Sequence, residues 1–193
     1  MVNFNKTFGY TVTGLDYSQT DVVCHTLEQY GVTDGEVIEA DFTTTPVFNQ
    51  FNVVTSFGFV EHFKNYADIV CKQAEFVKPG GYLVVEVPNL RFINWLMYRI
   101  FDRDLLEVHN LDIMNPNVLS HPIINMGNFE IRFCNYYFTN FLFFDANNPV
   151  IAQHSIIRNS VFTLRKVMKA LRIDNIPNRL FSPYIIMIAQ KNL

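Results

Sequence analysis

KPGGYLVVEV, residues 78–87, decides how this chain is read. Proline cannot continue a helix, and paired glycines supply turn conformations closed to other residues. The next six residues, 82–87, are apolar and β-branched apart from Glu86, which predicts a buried strand. Upstream, Tyr66, Ile69, Val70, Gln73 and Val77 recur at helical spacing, so the spacing predicts a helix over 66–77 that Lys78-Pro79-Gly80-Gly81 stops. FNVVTSF, residues 51–57, is nearly all apolar or β-branched. Such continuity predicts burial on both faces, as in a parallel sheet. Residues 36–40 and 10–15 read as two earlier strands. Between them Ser18 reads as a helix N-cap with Asp21 three residues on, and Gly31 as a left-handed C-cap. Val22, Val23, Thr26, Leu27 and Tyr30 form that helix's stripe. Strands alternating with helices over short loops predict a parallel sheet with helical cover.

Downstream the pattern changes. Residues 92–101 form an apolar, aromatic helix bracketed by Arg91 and Arg103, and 102–117 read as a polar loop. Residues 128–137 alternate like a strand, 155–171 read as a helix with Lys166, Lys169 and Arg172 near its end, and 184–190 form a last strand. The chain of 193 residues suits one domain over 1–193: a ligand-binding core at 9–89, an insertion at 91–127 over the ligand end of the sheet, and closing elements at 128–193.

With 49% hydrophobic residues the chain can bury a large core. A net charge of -3 gives no basic footprint, so no nucleic-acid partner is expected. Cys24, Cys71 and Cys134 are far apart and form no CxxC pair; they read as reduced thiols, and no metal site is expected. The apolar runs fall short of the ~20 residues that span a bilayer, and no signal peptide follows Met1. The expected location is cytoplasmic.

The polar residues at strand ends carry the chemistry. Asp16 closes the first strand, where an acid can accept hydrogen bonds from ribose hydroxyls; nicotinamide-binding folds also place an acid there. The competing reading is a solvent-facing turn. Asp41 closes the second strand; it can accept from an adenine amino group while Phe42 covers the ring, or simply bond its own Thr-rich turn. SFGFVEHF, residues 56–63, breaks a strand into a loop carrying Glu61 and His62. A carboxylate and an imidazole there can orient a substrate or take a proton, or merely begin a helix. His109, in the polar segment before Asn110, is a second candidate to meet an acceptor.

GYTVTGLDYS (9–18), EADF (39–42), FNVVTSFGFVEHF (51–63) and VKPGGYLVVEVPN (77–89) resemble, in order and spacing, consecutive motifs of the class I S-adenosylmethionine-dependent methyltransferases. The resemblance implies an α/β fold, a Rossmann-like and mostly parallel sheet with helices on both faces. It implies S-adenosyl-L-methionine as cofactor. Asp16, with Tyr17 beside it, would bind the ribose, and Asp41 with Phe42 the adenine. Ser56 and Phe57 would line the methionine side. Glu61, His62 and His109 would meet the substrate, with His62 or His109 as the base. Asn52 replaces an acid common in the family. The resemblance also implies a strand and a glycine-rich loop upstream of Gly9, and that strand would lie between 10–15 and 51–57. Residues 1–8 are similar only to the tail of the helix that follows the loop. The chain is therefore expected to lack the first strand of the family fold. The expected reaction is methyl transfer to a small-molecule or sugar-like acceptor. The alternatives are a non-catalytic remnant or interaction module and a nicotinamide-dependent oxidoreductase; no Tyr-x-x-x-Lys pair follows a strand end to serve hydride chemistry.

Overall fold

The computed structural model describes residues 1–18, 20–48, 50–137, 159, 163, 166–167, 169–170, 176–180 and 182–193. The helix expected over 155–171 falls largely outside the described residues, and Arg172 wholly so. The contacts gather into two compact units, Met1–Phe48 and Asn49–Leu193. Among the described residues no helix is long and apolar enough to cross a membrane.

In the first unit α1 (Val2–Phe8) stops at Gly9, which takes φ 69°. Strands β1 (Thr13–Asp16) and β2 (Glu36–Glu39) pair in parallel, Thr13 opposite Glu36 and Asp16 opposite Glu39. The crossover between them is α2 (Thr20–Gln29). Its C-terminal end is closed as the sequence predicts. Gly31 takes φ +65°, its N–H donates to Glu28 O at 2.9 Å, and the Val32 N–H donates to Leu27 O at 2.9 Å. These two bonds satisfy carbonyls that the helix leaves unpaired, and Val32 packs with Leu27 in the same apolar cluster. The N-terminal end differs from expectation. The helix starts at Thr20, and the Ser18 N–H donates to Asp16 Oδ1 at 3.0 Å, so Ser18 belongs to a turn. The stripe is also narrower than predicted: Val22 and Tyr30 are 62% and 58% exposed. A two-stranded sheet offers little width to cover, and only Val23 and Leu27 of the stripe join the core of Val12, Leu27 and Val32.

The second unit is a four-stranded sheet in the order β3 (Phe51–Phe57), β4 (Val77–Pro88), β6 (Tyr184–Lys191), β5 (Phe129–Tyr137). β3 and β4 are parallel, whereas β6 runs antiparallel to both β4 and β5. The first four strands thus pair in parallel, giving the mixed α/β, Rossmann-like arrangement that the resemblance implies. Among the described residues no strand pairs with both β1 and β3, and the strands fall into two sheets.

Leu83, Val85 and Val87 of β4 lie opposite Ala189, Met187 and Ile185 of β6, and all six are fully buried. Two helices, α3 (Tyr66–Glu75) and α6 (Pro116–Met126), pack on each other; α3 also packs on β4, and α6 on β5 and β6. β3 carries half-buried and exposed residues and none that is fully buried, rather than being buried on both faces, and it has one neighbour among the described strands.

The Lys78–Gly81 segment acts differently from a helix stop. α3 ends at Glu75, and Val77 already pairs with Phe51. The next pair is Val53 with Tyr82, so Lys78–Gly81 bulges out of the β4 ladder. Gly80 takes φ +76°, and a Cβ on Gly81 would sit 2.7 Å from the Asn52 carbonyl oxygen. Gly81 is needed for close strand approach, and Gly80 for the left-handed turn.

The polar run over 102–117 is helical, not a loop. After α4 (Phe92–Phe101) come α5 (Arg103–Glu107), a 3-10 turn (Leu111–Ile113) and then α6. Its polar residues are caps: Asp102 accepts from the Leu105 N–H, Asn110 from Asp112, and Asn115 from Asn117. Asn89, fully buried, ties the end of β4 to the entry of β6 by donating to Ser182 O at 2.7 Å and Arg179 O at 3.1 Å.

Candidate functional site

The candidate residues fall into two groups, one in each unit. In the first unit, parallel pairing puts the ends of β1 and β2 side by side. Asp16 is the last residue of β1, and the Ala40 N–H donates to its carbonyl at 3.0 Å, so Asp41 follows directly alongside. Both acids therefore stand at the same carboxyl end of this sheet. The Asp41 Oδ1 accepts from the Thr43 N–H at 2.8 Å and from the Thr43 hydroxyl at 2.7 Å, and its carbonyl accepts from the Thr45 N–H at 2.9 Å. The local turn bonding expected of a Thr-rich segment is thus present. A carboxylate offers about four acceptor positions, so turn bonds and ligand hydroxyls are compatible on the same group. Phe42 is half-buried, and Tyr17 is 74% exposed.

In the second unit, β3 delivers Ser56 and Phe57 to its carboxyl end. The Ser56 hydroxyl donates to Gln73 Oε1 at 3.1 Å, and Phe57 is 51% exposed. Gly58, at φ +63°, turns the chain while its N–H donates to Glu86 O at 3.1 Å. A single 3-10 turn, Val60–His62, then points adjacent side chains opposite ways: Glu61 is 1% exposed, and His62 is on the surface. The Glu61 Oε2 is buried without a hydrogen-bond partner. Burial pushes its carboxyl above the usual range, against weaker opposing effects of a backbone hydrogen bond and His62.

His109 arrives from the segment after α5. The Asn110 N–H donates to Glu61 O at 2.7 Å and its amide to Phe63 O at 3.2 Å, stitching this segment to the 3-10 turn. The His62 and His109 rings lie 4.6 Å apart, centroid to centroid. His62 Nδ1 is 3.3 Å from Val108 O, and His109 Nδ1 is 2.6 Å from Leu105 O. A carbonyl only accepts, so each Nδ1 carries the proton and each Nε2 the lone pair. Burial lowers the His109 pKa, outweighing the Leu105 bond that raises it, which favours the neutral, proton-accepting ring.

The fold thus brings Glu61, His62 and His109 together, and separately sets Asp16, Tyr17, Asp41 and Phe42 at one sheet end. Gln73, Asn110 and the carbonyls of Leu105 and Val108 were not among the expected site residues, Gln73 being read only as part of a helix stripe. Asn110 follows a candidate histidine, but nothing in the spacing links 105–110 to 58–63.

A family model described as a methyltransferase domain matches residues 2–85. No curated protein matches the chain. Among solved structures, the [4+2]-cyclase SpnF is similar at 15% identity and TM-score 0.57, covering 94% of this chain and 66% of the other. Geranyl diphosphate C-methyltransferase from Streptomyces coelicolor A3(2), in complex with Mg2+, geranyl diphosphate and S-adenosyl-L-homocysteine, is similar at 13% identity and TM-score 0.59, covering 100% and 66%. Coclaurine N-methyltransferase bound to N-methylheliamine and SAH is similar at 13% identity and TM-score 0.55, covering 97% and 60%. The chain therefore spans slightly less than two thirds of the length of these structures, and likeness at this identity concerns the fold.

Proposed function

We propose that this chain is a class I S-adenosylmethionine-dependent methyltransferase and transfers a methyl group to an oxygen, nitrogen or carbon of a small-molecule acceptor. The observation that carries the reading is the placement of Asp16 and Asp41 at adjacent carboxyl ends of parallel strands, inside the matched segment 2–85. That spacing suits one nucleoside: Asp16 accepts from the ribose hydroxyls, and Asp41 accepts from the adenine amino group with Phe42 against the ring.

The bound cofactor supplies a methyl group already activated on a sulfonium. The protein's share of the work is to position the acceptor, exclude water and remove a proton where the acceptor carries one. His109, held neutral by burial with its Nδ1 on Leu105 O, is suited to take that proton on Nε2, and His62 is the second candidate. Small acceptors are supported by the relatives solved with geranyl diphosphate and with N-methylheliamine.

Calorimetric titration with S-adenosyl-L-homocysteine and, separately, with NADH tests the class. Saturable binding of the first alone is expected. Binding of NADH without S-adenosyl-L-homocysteine would reassign the chain to hydride chemistry, and binding of neither would favour a non-catalytic remnant.

A further inference from the structure

We propose that Glu61, His62 and His109 form a site for a divalent transition-metal ion of the zinc class. The chain's cysteines gave no such expectation, and the three ligands come from segments far apart in sequence. One ligand atom from each residue lies within 4.8 Å of the other two. Bonds of about 2.0–2.2 Å to zinc would bring such atoms to roughly 3.3 Å of one another, a contraction that side-chain rotation can supply.

Three further observations point to an ion. Glu61 Oε2 is buried with no hydrogen-bond partner, a costly arrangement that a cation would satisfy. Both imidazoles donate through Nδ1 to backbone carbonyls, which fixes the tautomer and leaves Nε2 as the ligating atom. His62 is exposed, which gives the ion a route in, and the two Asn110 bonds hold the two ligand-bearing segments together. Two imidazoles and one carboxylate select a borderline ion over calcium or magnesium and leave at least one position open.

Metal binding stands apart from the methyl-transfer reading, but the use of the open position rests on it. There an acceptor oxygen would be acidified by the ion, and a ligated imidazole would no longer act as a proton acceptor.

The experiment is a titration of the whole chain, free of affinity tags, with Zn2+ by calorimetry and with Co2+ by visible absorption. One equivalent of each is expected, with Co2+ giving ligand-field bands. His62→Ala should weaken binding at least ten-fold, as should Glu61→Gln, while Cys24→Ser should change nothing. His62 is a surface residue, so its removal leaves the fold intact by far-UV circular dichroism, and Glu61→Gln keeps the shape of the buried side chain. Absence of saturable binding, or binding by His62→Ala equal to the parent, would overturn the site. A parallel titration with S-adenosyl-L-homocysteine separates the two proposals: cofactor binding without zinc binding sinks only the metal site, and zinc binding without cofactor binding sinks only the methyl-transfer reading.

Discussion

The two units hold their candidate residues by different means. Among its described residues Met1–Phe48 has a core of three buried side chains, Val12, Leu27 and Val32, with a two-stranded sheet. Asn49–Leu193 closes a four-stranded sheet on α3 and α6, with Leu83, Val85, Val87, Ile185, Met187 and Ala189 fully buried in it. A two-stranded sheet with so small a core is marginal by itself, whereas three or more strands packed on helices are self-supporting. The acids assigned to the nucleoside therefore stand on the weaker scaffold, and the Glu61, His62 and His109 cluster on the stronger one. The difference teaches that the sheet end carrying Asp16 and Asp41 has less core of its own to hold it than the sheet end carrying Glu61 and His62.

Truncating one leucine in each unit should break the comparison most sharply. Leu83→Ala should lower global stability by about 3–4 kcal/mol, a loss within the range for buried leucines, read as a lower urea midpoint. Leu27→Ala removes a side chain that is 3% exposed, yet it should leave that midpoint nearly unchanged and instead erase hydrogen-exchange protection in β1 and β2. Equal midpoint losses would show a single cooperative core and end the distinction.

Thiol chemistry sharpens the same contrast without disturbing the fold. Cys24 on α2 is exposed. Burial pushes the Cys134 thiol on β5 up to about 11, despite a hydrogen bond with Ser120 that lowers it. The thiolate is the reactive form, so at pH 8 Cys134 should react with a maleimide or disulfide reagent at least ~100-fold more slowly than Cys24. The linkage has a definite sign. The folded value lies above the ordinary thiol value of 9.0, so this contribution to stability is complete below pH 9 and is lost as pH rises through about 11. Comparable labelling rates, followed by mass spectrometry, would contradict the burial of Cys134.

What could be read in advance follows a physical divide. Gly31, β3 and β5 were legible because a φ > 0 closure, a continuous β-branched run and an alternating run are local signals. The helices after Phe101 were not, since Asp102, Asn110 and Asn115 look alike as loop residues and as caps; only the backbone shows which N–H each accepts from. Lys78–Gly81 was legible as a special device, but its role depends on the Asn52 carbonyl across the sheet, a contact that no spacing reveals. At the candidate sites, Asp16 and Asp41 could be read from strand ends, whereas the meeting of His109 with Glu61 and His62 depends on the two Asn110 bonds.

Two glycine substitutions separate a demand for space, at that bulge, from a demand for backbone conformation, at the end of α1. A Cβ on Gly81 would meet the backbone oxygens of Asn52 at 2.7 Å and Lys78 at 3.0 Å, neither of which is a flexible side-chain end. Gly81→Ala should cost about 2 kcal/mol through strain in the β3–β4 ladder. Gly9, in the first unit, has φ +69° and nothing within 4 Å of its added Cβ. Gly9→Ala should cost only the left-handed penalty of ~1 kcal/mol. A thermal melt checks Gly81→Ala and hydrogen exchange in α1 checks Gly9→Ala, and a cost at Gly81 no larger than at Gly9 would mean that the strands can part freely.

The last effect bears directly on chemistry. Asp16→Ala should raise the dissociation constant for S-adenosyl-L-homocysteine about ten-fold, equivalent to ~1.4 kcal/mol. A loss of that size fits the removal of a charge-assisted hydrogen bond to a hydroxyl. The same change deletes the acceptor for the Ser18 N–H, so Asp16→Asn, which keeps a side-chain oxygen for that bond, separates turn from ligand. If Asp16 binds ribose, Asn should weaken affinity nearly as much as Ala while leaving exchange protection of the α2 amides unchanged. If Asn instead restores full affinity, the carboxylate serves the turn alone, and the nucleoside reading of this strand end fails.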